Sequence, residues 1–298
     1  MKTKMQKLTS AGGILASPVF ALLSVATKSQ AAAKLALRFD AENFRVMASS
    51  LGTPAENRFL VAQLLIAAKI TARLNVRNGR ILKGAISFSK SQLLQDVFCL
   101  IATSEKRSGF FVEVGVGNGT DLSNTYLLEK NFGWSGILVE PNTSYHSDIR
   151  SKRSAILDPR AATSRSGDVL TFEEMQDEGM HSRLAGTSTA AVASEVKKYQ
   201  VETASLDSIL DGHNAPDVVD YISIDTEGNE MDVLSGLSLK KRQVNIFTIE
   251  HNFEPGKIEK IKSFFGKHEY VPVFEDVSSF DLWLVHRSIA SKLDIGEI

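Results

Sequence analysis

Between residues 110 and 285 the apolar positions come in short continuous blocks, and most blocks run into an acid. Phe110-Phe111-Val112-Glu113-Val114 is followed by Gly115, Gly117 and Gly119, and Gly136-Ile137-Leu138-Val139 runs into Glu140-Pro141. Tyr221-Ile222-Ser223-Ile224 runs into Asp225-Thr226-Glu227-Gly228, and Val244-Asn245-Ile246-Phe247-Thr248-Ile249 into Glu250-His251-Asn252. A short apolar run bounded by turn residues predicts a strand buried on both faces, as in a parallel sheet. Two further blocks, 270–274 and 281–285, are close enough to form an antiparallel hairpin at one sheet edge.

Helical spacing separates these blocks. Leu93, Leu94, Val97, Phe98 and Ile101 form one apolar face, with Ser89 or Ser91 as N-cap and Gln92, Gln95 and Asp96 on the opposite side, a solvated face or one packed over a cofactor site. A helix capped by Asp121 or Ser123 extends to about 132 with Tyr126, Leu127 and Leu128 facing inward; a short helix over 144–150 carries His146 and Asp148 on the surface. Residues 154–157 read as a weak third strand, and Ser205 caps a helical turn. The pattern fades between 163 and 199, where residues 168–172 read as a strand and 179–193, rich in Gly, Ser, Thr and Ala, as a lid or binding loop. The order βαβαβ, interruption, βαβαββ predicts an α/β fold: a mostly parallel, Rossmann-like sheet, helices on both faces, and an antiparallel C-terminal hairpin.

Before residue 86 the reading changes. Residues 31–75 have patchy helical spacing broken at Pro54, so 1–85 is expected to be a helical extension and 86–298 the α/β domain. Lys2, Lys4 and Lys7 precede a diluted apolar run over 11–26, which resembles a signal peptide but contains Gly12, Gly13, Ser17 and Pro18. The favoured expectation is a membrane-proximal segment over 1–30 that associates weakly with a membrane, on an otherwise cytoplasmic protein. A formal net charge of -1 removes a global argument for nucleic-acid binding. The single cysteine, Cys99, lies in an apolar run and excludes both an intramolecular disulfide and a multi-cysteine zinc site.

In a sheet of this kind ligands bind at the carboxyl ends of the strands, and Glu113, Glu140, Asp225, Glu227 and Glu250 all fall there. Gly115, Gly117 and Gly119 give G-x-G-x-G rather than the dinucleotide spacing G-x-G-x-x-G. Asp121 would repel a pyrophosphate, and no Lys or Arg lies in the loop. S-adenosylmethionine, cationic and without phosphate, suits such a pocket better. Glu113 is then expected near its sulfonium or amino-acid end, the loop Gly115, Gly117, Asn118 and Gly119 under the ribose, and Glu140 on the two ribose hydroxyls. Pro141, Ala161 and Asp225 complete the expected cofactor set.

Ser91-Gln92 with Gln95-Asp96, Phe111-Val112-Glu113-Val114-Gly115, Ser123-Asn124-Thr125, Gly133-Trp134-Ser135-Gly136-Ile137-Leu138-Val139-Glu140-Pro141, Ser205-Leu206-Asp207 and the stretch from Asp220 to Glu230 together resemble the FkbM-type methyltransferases. The resemblance covers residues 89–287 and departs mildly at Val116-Gly117-Asn118-Gly119-Thr120. It implies a class I methyltransferase fold and O-methylation of a hydroxyl on a sugar, glycolipid or related natural product, so the expected partner is a small-molecule or glycan acceptor. An alcohol is a poor nucleophile near neutral pH, and a base within hydrogen-bond reach helps; Asp225, Glu227 and His251 are the candidates. Asp225 also reads as an N-cap, Glu230 as a first-turn helix residue and His251 as a structural hydrogen-bonder. Asp225, Glu227, Glu250 and His251 around a divalent metal is a further reading, with no ligand spacing to indicate it. Tyr126, Trp134, the 179–193 loop and Trp283 are candidate acceptor contacts. An NAD-linked oxidoreductase and a catalytically silent binding module stay open as alternatives.

Overall fold

Strands β1 (Phe110–Val114), β2 (Ser135–Val139), β3 (Ile156–Asp158), β8 (Val218–Ile224), β9 (Gln243–Glu250), β10 (Tyr270–Val273) and β11 (Asp281–His286) form one sheet in a computed structural model. The structure describes residues 76–175, 182–186 and 196–290, with single positions 63, 66, 67, 69, 70, 73 and 293. The strand order is β10-β11-β9-β8-β1-β2-β3. β1 pairs in parallel with β2 and β8, β8 with β9, and β2 with β3. β11 is antiparallel to both neighbours. The C-terminal hairpin therefore does form, but its second strand inserts between β9 and β10, and β10 makes the edge. Burying Trp283 and Leu284 inside the sheet suits that order, since Trp283 stacks on Phe98 at a centroid distance of 4.6 Å.

The continuous apolar runs have both faces covered. Val112, Val114, Ile137, Ile222, Ile224, Phe247 and Ile249 belong to one core cluster. It includes Leu206, Ile209 and Leu210 of helix α5 (Leu206–Gly212), Val233 and Leu234 of α6 (Glu230–Ser235), and Ile261 and Phe265 of α7 (Lys257–Phe265). α5 has the Ser205 cap its sequence predicts, with Ser205 Oγ accepting from the Ser208 N–H at 3.2 Å.

Helix α2 (Gln95–Ala102) departs from its amphipathic reading. All eight residues are buried, Gln95 and Asp96 included. The helix starts at Gln95 because Leu94 is left-handed, φ 63°. Ser89 and Ser91 use their hydroxyls to donate to the Asp96 carboxylate, each at 2.6 Å. Helix α3 (Tyr126–Phe132) starts later than predicted too, although Ser123 Oγ accepts from the Tyr126 N–H at 3.1 Å.

The stretch where periodicity faded is a second sheet. β4 (Ala161–Thr163), β5 (Val169–Met175), β6 (Arg183–Leu184) and β7 (Val196–Ser205) lie in the order β4-β7-β5-β6. Its own small core is Ala161, Phe172, Leu184 and Val201.

The chain divides into two compact units, residues 88–292 and the flanking 1–87 with 293–298. In the flanking unit helix α1 (Val76–Ala85) buries Ile81, Leu82 and Ala85, and Asn78 donates from Nδ2 to the Leu293 carbonyl at 2.9 Å. The expected membrane-proximal stretch 1–30 lies outside the described residues. Among the described residues no helix is long and apolar enough to cross a membrane.

Candidate active site

A cavity of about 450 Å³ opens at the carboxyl ends of β1, β2, β8 and β9. One side is formed by Glu113, Gly115, Val116, Gly117, Glu140 and Pro141. Asp225, Thr226, Glu227, Glu250 and Asn252 form another, while Ala161, Ala162, Phe172, Arg183 and Leu184 supply a wall from the second sheet. Gln92, just before α2, also borders it.

Gly115 must be glycine for two reasons. Its φ is +82°, and a Cβ there would lie 1.7 Å from the Asp225 carbonyl oxygen. The loop thus approaches protein backbone, welding the end of β1 to the end of β8. Gly117 has φ +57° with open space where a Cβ would stand, so its constraint is conformational alone.

The two acids that look alike in sequence are used differently. Glu113 is 2% exposed and accepts from Ser123 Oγ (3.0 Å), the Asn124 N–H (2.6 Å) and Thr125 Oγ1 (2.5 Å). Arg153 lies 3.6 Å from it. The Glu113 carboxylate therefore holds the segment entering α3, and the residue also borders the cavity. Asn118 is likewise spent within its own turn, accepting from the Thr120 and Asp121 N–H groups and donating to Asp121. Neither Asn118 nor Gly119 lines the cavity among the residues that do.

Glu140 does face the cavity. Its Oε2 accepts from the Val116 N–H (2.9 Å) and the Gly117 N–H (2.8 Å), and Oε1 from the Asn142 N–H (2.8 Å). Each carboxylate oxygen has two lone pairs, so one acceptor position on Oε1 remains while these bonds stand. Burial pushes the Glu140 carboxyl up to about 7 against the lowering effect of those N–H donors. His146, expected on the surface, is buried and bonds the Glu140 carbonyl at 2.7 Å. Asp148, on the same helix, α4 (His146–Lys152), is exposed as predicted.

A pH dependence follows. A carboxyl raised above its unfolded value favours the neutral form, so its contribution to stability is full below about pH 4.5 and is lost as pH rises through about 7. A ligand that donates hydrogen bonds to the ionised carboxylate pulls the other way. With a titration near 7, its affinity should rise about tenfold from pH 6 to pH 8 and then level off. Calorimetric titration with S-adenosylhomocysteine across that range checks it; a flat profile would remove Glu140 from the contact.

At the other end of the cavity, burial and then the charges of Asp281, Glu227 and Glu230 raise the Asp225 carboxyl well above the carboxylate range. Burial and the Asp225 charge push Glu250 to about 10. Glu227 reaches the cavity from a backbone with φ 56°, an uncommon conformation for a non-glycine residue. Glu230 is a first-turn residue of α6: its Oε1 accepts from the Thr226 and Gly228 N–H groups, both at 3.0 Å.

His251 is corrected as a base. It is 3% exposed, its Nδ1 accepts from the Phe253 N–H at 3.1 Å, and its ring also donates to the Asp281 backbone. Both ring nitrogens are engaged, burial lowers its pKa, and it does not border the cavity. Trp134 donates from Nε1 to the Lys106 carbonyl and Trp283 is core, so neither aromatic reaches the cavity, and Tyr126 lies beneath the Arg153 guanidinium. Of the 179–193 loop, residues 182–184 border it.

Sequence reasoning passed over Asn124, Tyr145, Phe172 and Asn229 as site residues, all of which line the cavity. Asn124 Oδ1 is buried without a hydrogen-bond partner, while Nδ2 donates to Ser223 Oγ at 2.8 Å. Arg183 has Glu173 3.9 Å away.

The sheet order, its single reversed strand and a cavity walled by a glycine loop and strand-end acids are those of a class I methyltransferase-type fold. Residues 113–280 match the methyltransferase FkbM domain, and this chain belongs to that family. The match spans more than half of the 298 residues. No curated protein matches the chain. Among solved structures it is similar to a candidate RNA methyltransferase from Pyrococcus horikoshii, with 9% identity, 64% of this chain and 81% of that chain covered, and a TM-score of 0.34. Nothing about this chain rests on that superposition.

Proposed function

We propose that this chain is an S-adenosylmethionine-dependent O-methyltransferase acting on a hydroxyl of a small molecule or glycan. The supporting observation is one cavity that joins the glycine loop and Glu140 to the carboxylates of Asp225 and Glu227. The donor set fits the cofactor. Asn124 Oδ1, buried and unbonded, offers an acceptor for an ammonium, and Glu140 offers one for a ribose hydroxyl. A pyrophosphate would instead meet Asp121 and Glu140.

When bound, the cofactor supplies an electrophilic methyl carbon. The residues of this chain hold the acceptor's oxygen in line with it, which accounts for much of the rate enhancement in such a displacement. Asp225, whose pKa burial and neighbouring acids raise, is in its ionised form a stronger base than an ordinary carboxylate and in that form takes the hydroxyl proton. Glu227 lies beside it and orients the hydroxyl. The second-sheet wall, with Phe172 and Leu184, excludes water.

Titration with S-adenosylhomocysteine is expected to show binding near one equivalent. Glu140→Ala should weaken it about 100-fold, the scale of losing one or two hydrogen bonds to a charged group, with the fold retained. Absence of binding to the folded wild type would defeat the proposal, and quenching by NADH in its place would favour the oxidoreductase.

A further inference from the structure

We infer that Asp225, Glu230 and Glu250 form a divalent-cation site at the acceptor end of the cavity. One carboxylate oxygen from each lies within 4.8 Å of the others. They come from three elements: the end of β8, the first turn of α6 and the end of β9. The cluster alone would carry little, since acids often gather at strand ends. A second observation concerns Glu250. It is 6% exposed, and its Oε2 is shut off from water without a hydrogen-bond partner among the described residues. A buried carboxylate oxygen left without a donor is costly, and a bound cation is one of the few groups that supplies the missing partner.

The charges point the same way. Lys257 Nζ lies 2.6 Å from Glu230 and 2.9 Å from Glu254, so it offsets the Glu230 charge and is itself engaged. Asp225 and Glu250, deprotonated on binding a cation, then supply two negative charges to the cluster, the charge a divalent ion balances. Glu227 and Asp281 add to the negative field from their own elements, and the Asp281 carboxylate accepts from neutral donors, the Gln95 amide at 2.8 Å and the Trp283 side chain. An all-oxygen set selects hard ions such as Mg²⁺, Mn²⁺ or Ca²⁺ over zinc or copper. Three carboxylates leave positions for water or an acceptor oxygen, and a hydroxyl on such an ion has a lowered pKa; with Asp225 then a ligand, its proton passes to Glu227 in place of Asp225. That use of the ion rests on the methyltransferase reading; the ion site itself does not.

The full chain, stripped with EDTA and dialysed, should bind Mn²⁺ in an electron paramagnetic resonance titration at one equivalent. Glu250→Gln and Asp225→Asn should each weaken that binding at least tenfold, with Mg²⁺ competing in the wild type, and Asp148→Asn should leave it unchanged. Absence of Mn²⁺ binding by the wild type overturns the site, as does binding undiminished in both folded variants. The wild-type arm decides even where a variant does not fold. S-adenosylhomocysteine titration of the same samples separates the two readings. Cofactor binding without Mn²⁺ binding rejects only the ion site, whereas Mn²⁺ binding without cofactor binding rejects only the methyltransferase.

Discussion

Gly115→Ala should unfold much of the population at temperatures where the wild type is intact. The added methyl would meet the Asp225 carbonyl oxygen at 1.7 Å, a backbone atom held in place by the Asp225 N–H donating to the Val114 carbonyl at 3.0 Å. Neither partner is the free end of a side chain, so the strands must separate. Overpacking of this sort plus a left-handed alanine costs about 3–5 kcal/mol. Urea unfolding followed by circular dichroism measures it. Gly117→Ala is the comparison, since open space surrounds that position and only the φ of +57° is unfavourable, for about 1 kcal/mol. Equal losses in the two variants would contradict the account of the loop.

Arg153→Met should cost a similar amount for an electrostatic reason. The Arg153 side chain is fully buried and donates from Nε to Glu129 (2.8 Å), from Nη1 to the Gly119 carbonyl (2.9 Å) and Ser123 (3.1 Å), and from Nη2 to Thr125 (2.8 Å). Methionine fills most of the space but leaves Glu113 and Glu129 without their cation. Removing one partner of a buried ion pair costs about 3–5 kcal/mol. Burial raises the Glu129 carboxyl, but the Arg153 charge and the hydrogen bonds made to it lower it overall. A depressed carboxyl stabilises above its unfolded pKa and loses that contribution as pH falls through the folded value. The gap between variant and wild type should therefore narrow below about pH 4.5. Lys152→Ala, at the preceding residue, the exposed last position of α4, should change stability by less than about 0.5 kcal/mol. A gap at neutral pH under 1 kcal/mol for Arg153→Met would remove the argument.

The large sheet was legible because its strands are buried on both faces. Runs such as Ile222 to Ile224 and Ile246 to Ile249 carry the signal without tertiary information. The second sheet was legible only in part: β5 shows in the strand read at 168–172, but β7 alternates weakly, with Lys197, Lys198, Gln200 and Glu202 exposed while Val201, Thr203 and Ala204 are buried. Glu113 and Glu140 have nearly the same local surroundings in sequence, an acid in or after a run of β-branched residues. What separates them is whether a neighbouring loop turns its N–H and O–H donors inward, and that depends on Arg153, 40 positions from Glu113. His251 misled for a comparable reason. Its unperturbed pKa suits a base, but Phe253 and Asp281 engage both ring nitrogens, and no local pattern announces them. Gln95 and Asp96 marked a polar stripe that the fold buries by giving each its own partners, Asp281 for one and Ser89 with Ser91 for the other.

Beyond β4, the part of the second sheet made of β5, β6 and most of β7 enters and leaves at one narrow neck. The Thr203 N–H donates to the Asp168 carbonyl at 2.9 Å and the Gly167 N–H to the Thr203 carbonyl at 3.0 Å, so the two ends of the excursion are tied together across a single rung. Everything this sheet contributes beyond the neck, Phe172, Arg183 and Leu184 included, is carried on a segment whose ends meet. The segment is also held at points away from the neck, by Ser144 Oγ donating to Glu174 at 2.6 Å and the Thr143 N–H to Tyr199 at 3.2 Å. A changed side chain on β5 or β6 therefore reshapes one wall of the cavity while the glycine loop, Glu140 and the carboxylates of β8 and β9 keep their places on the large sheet.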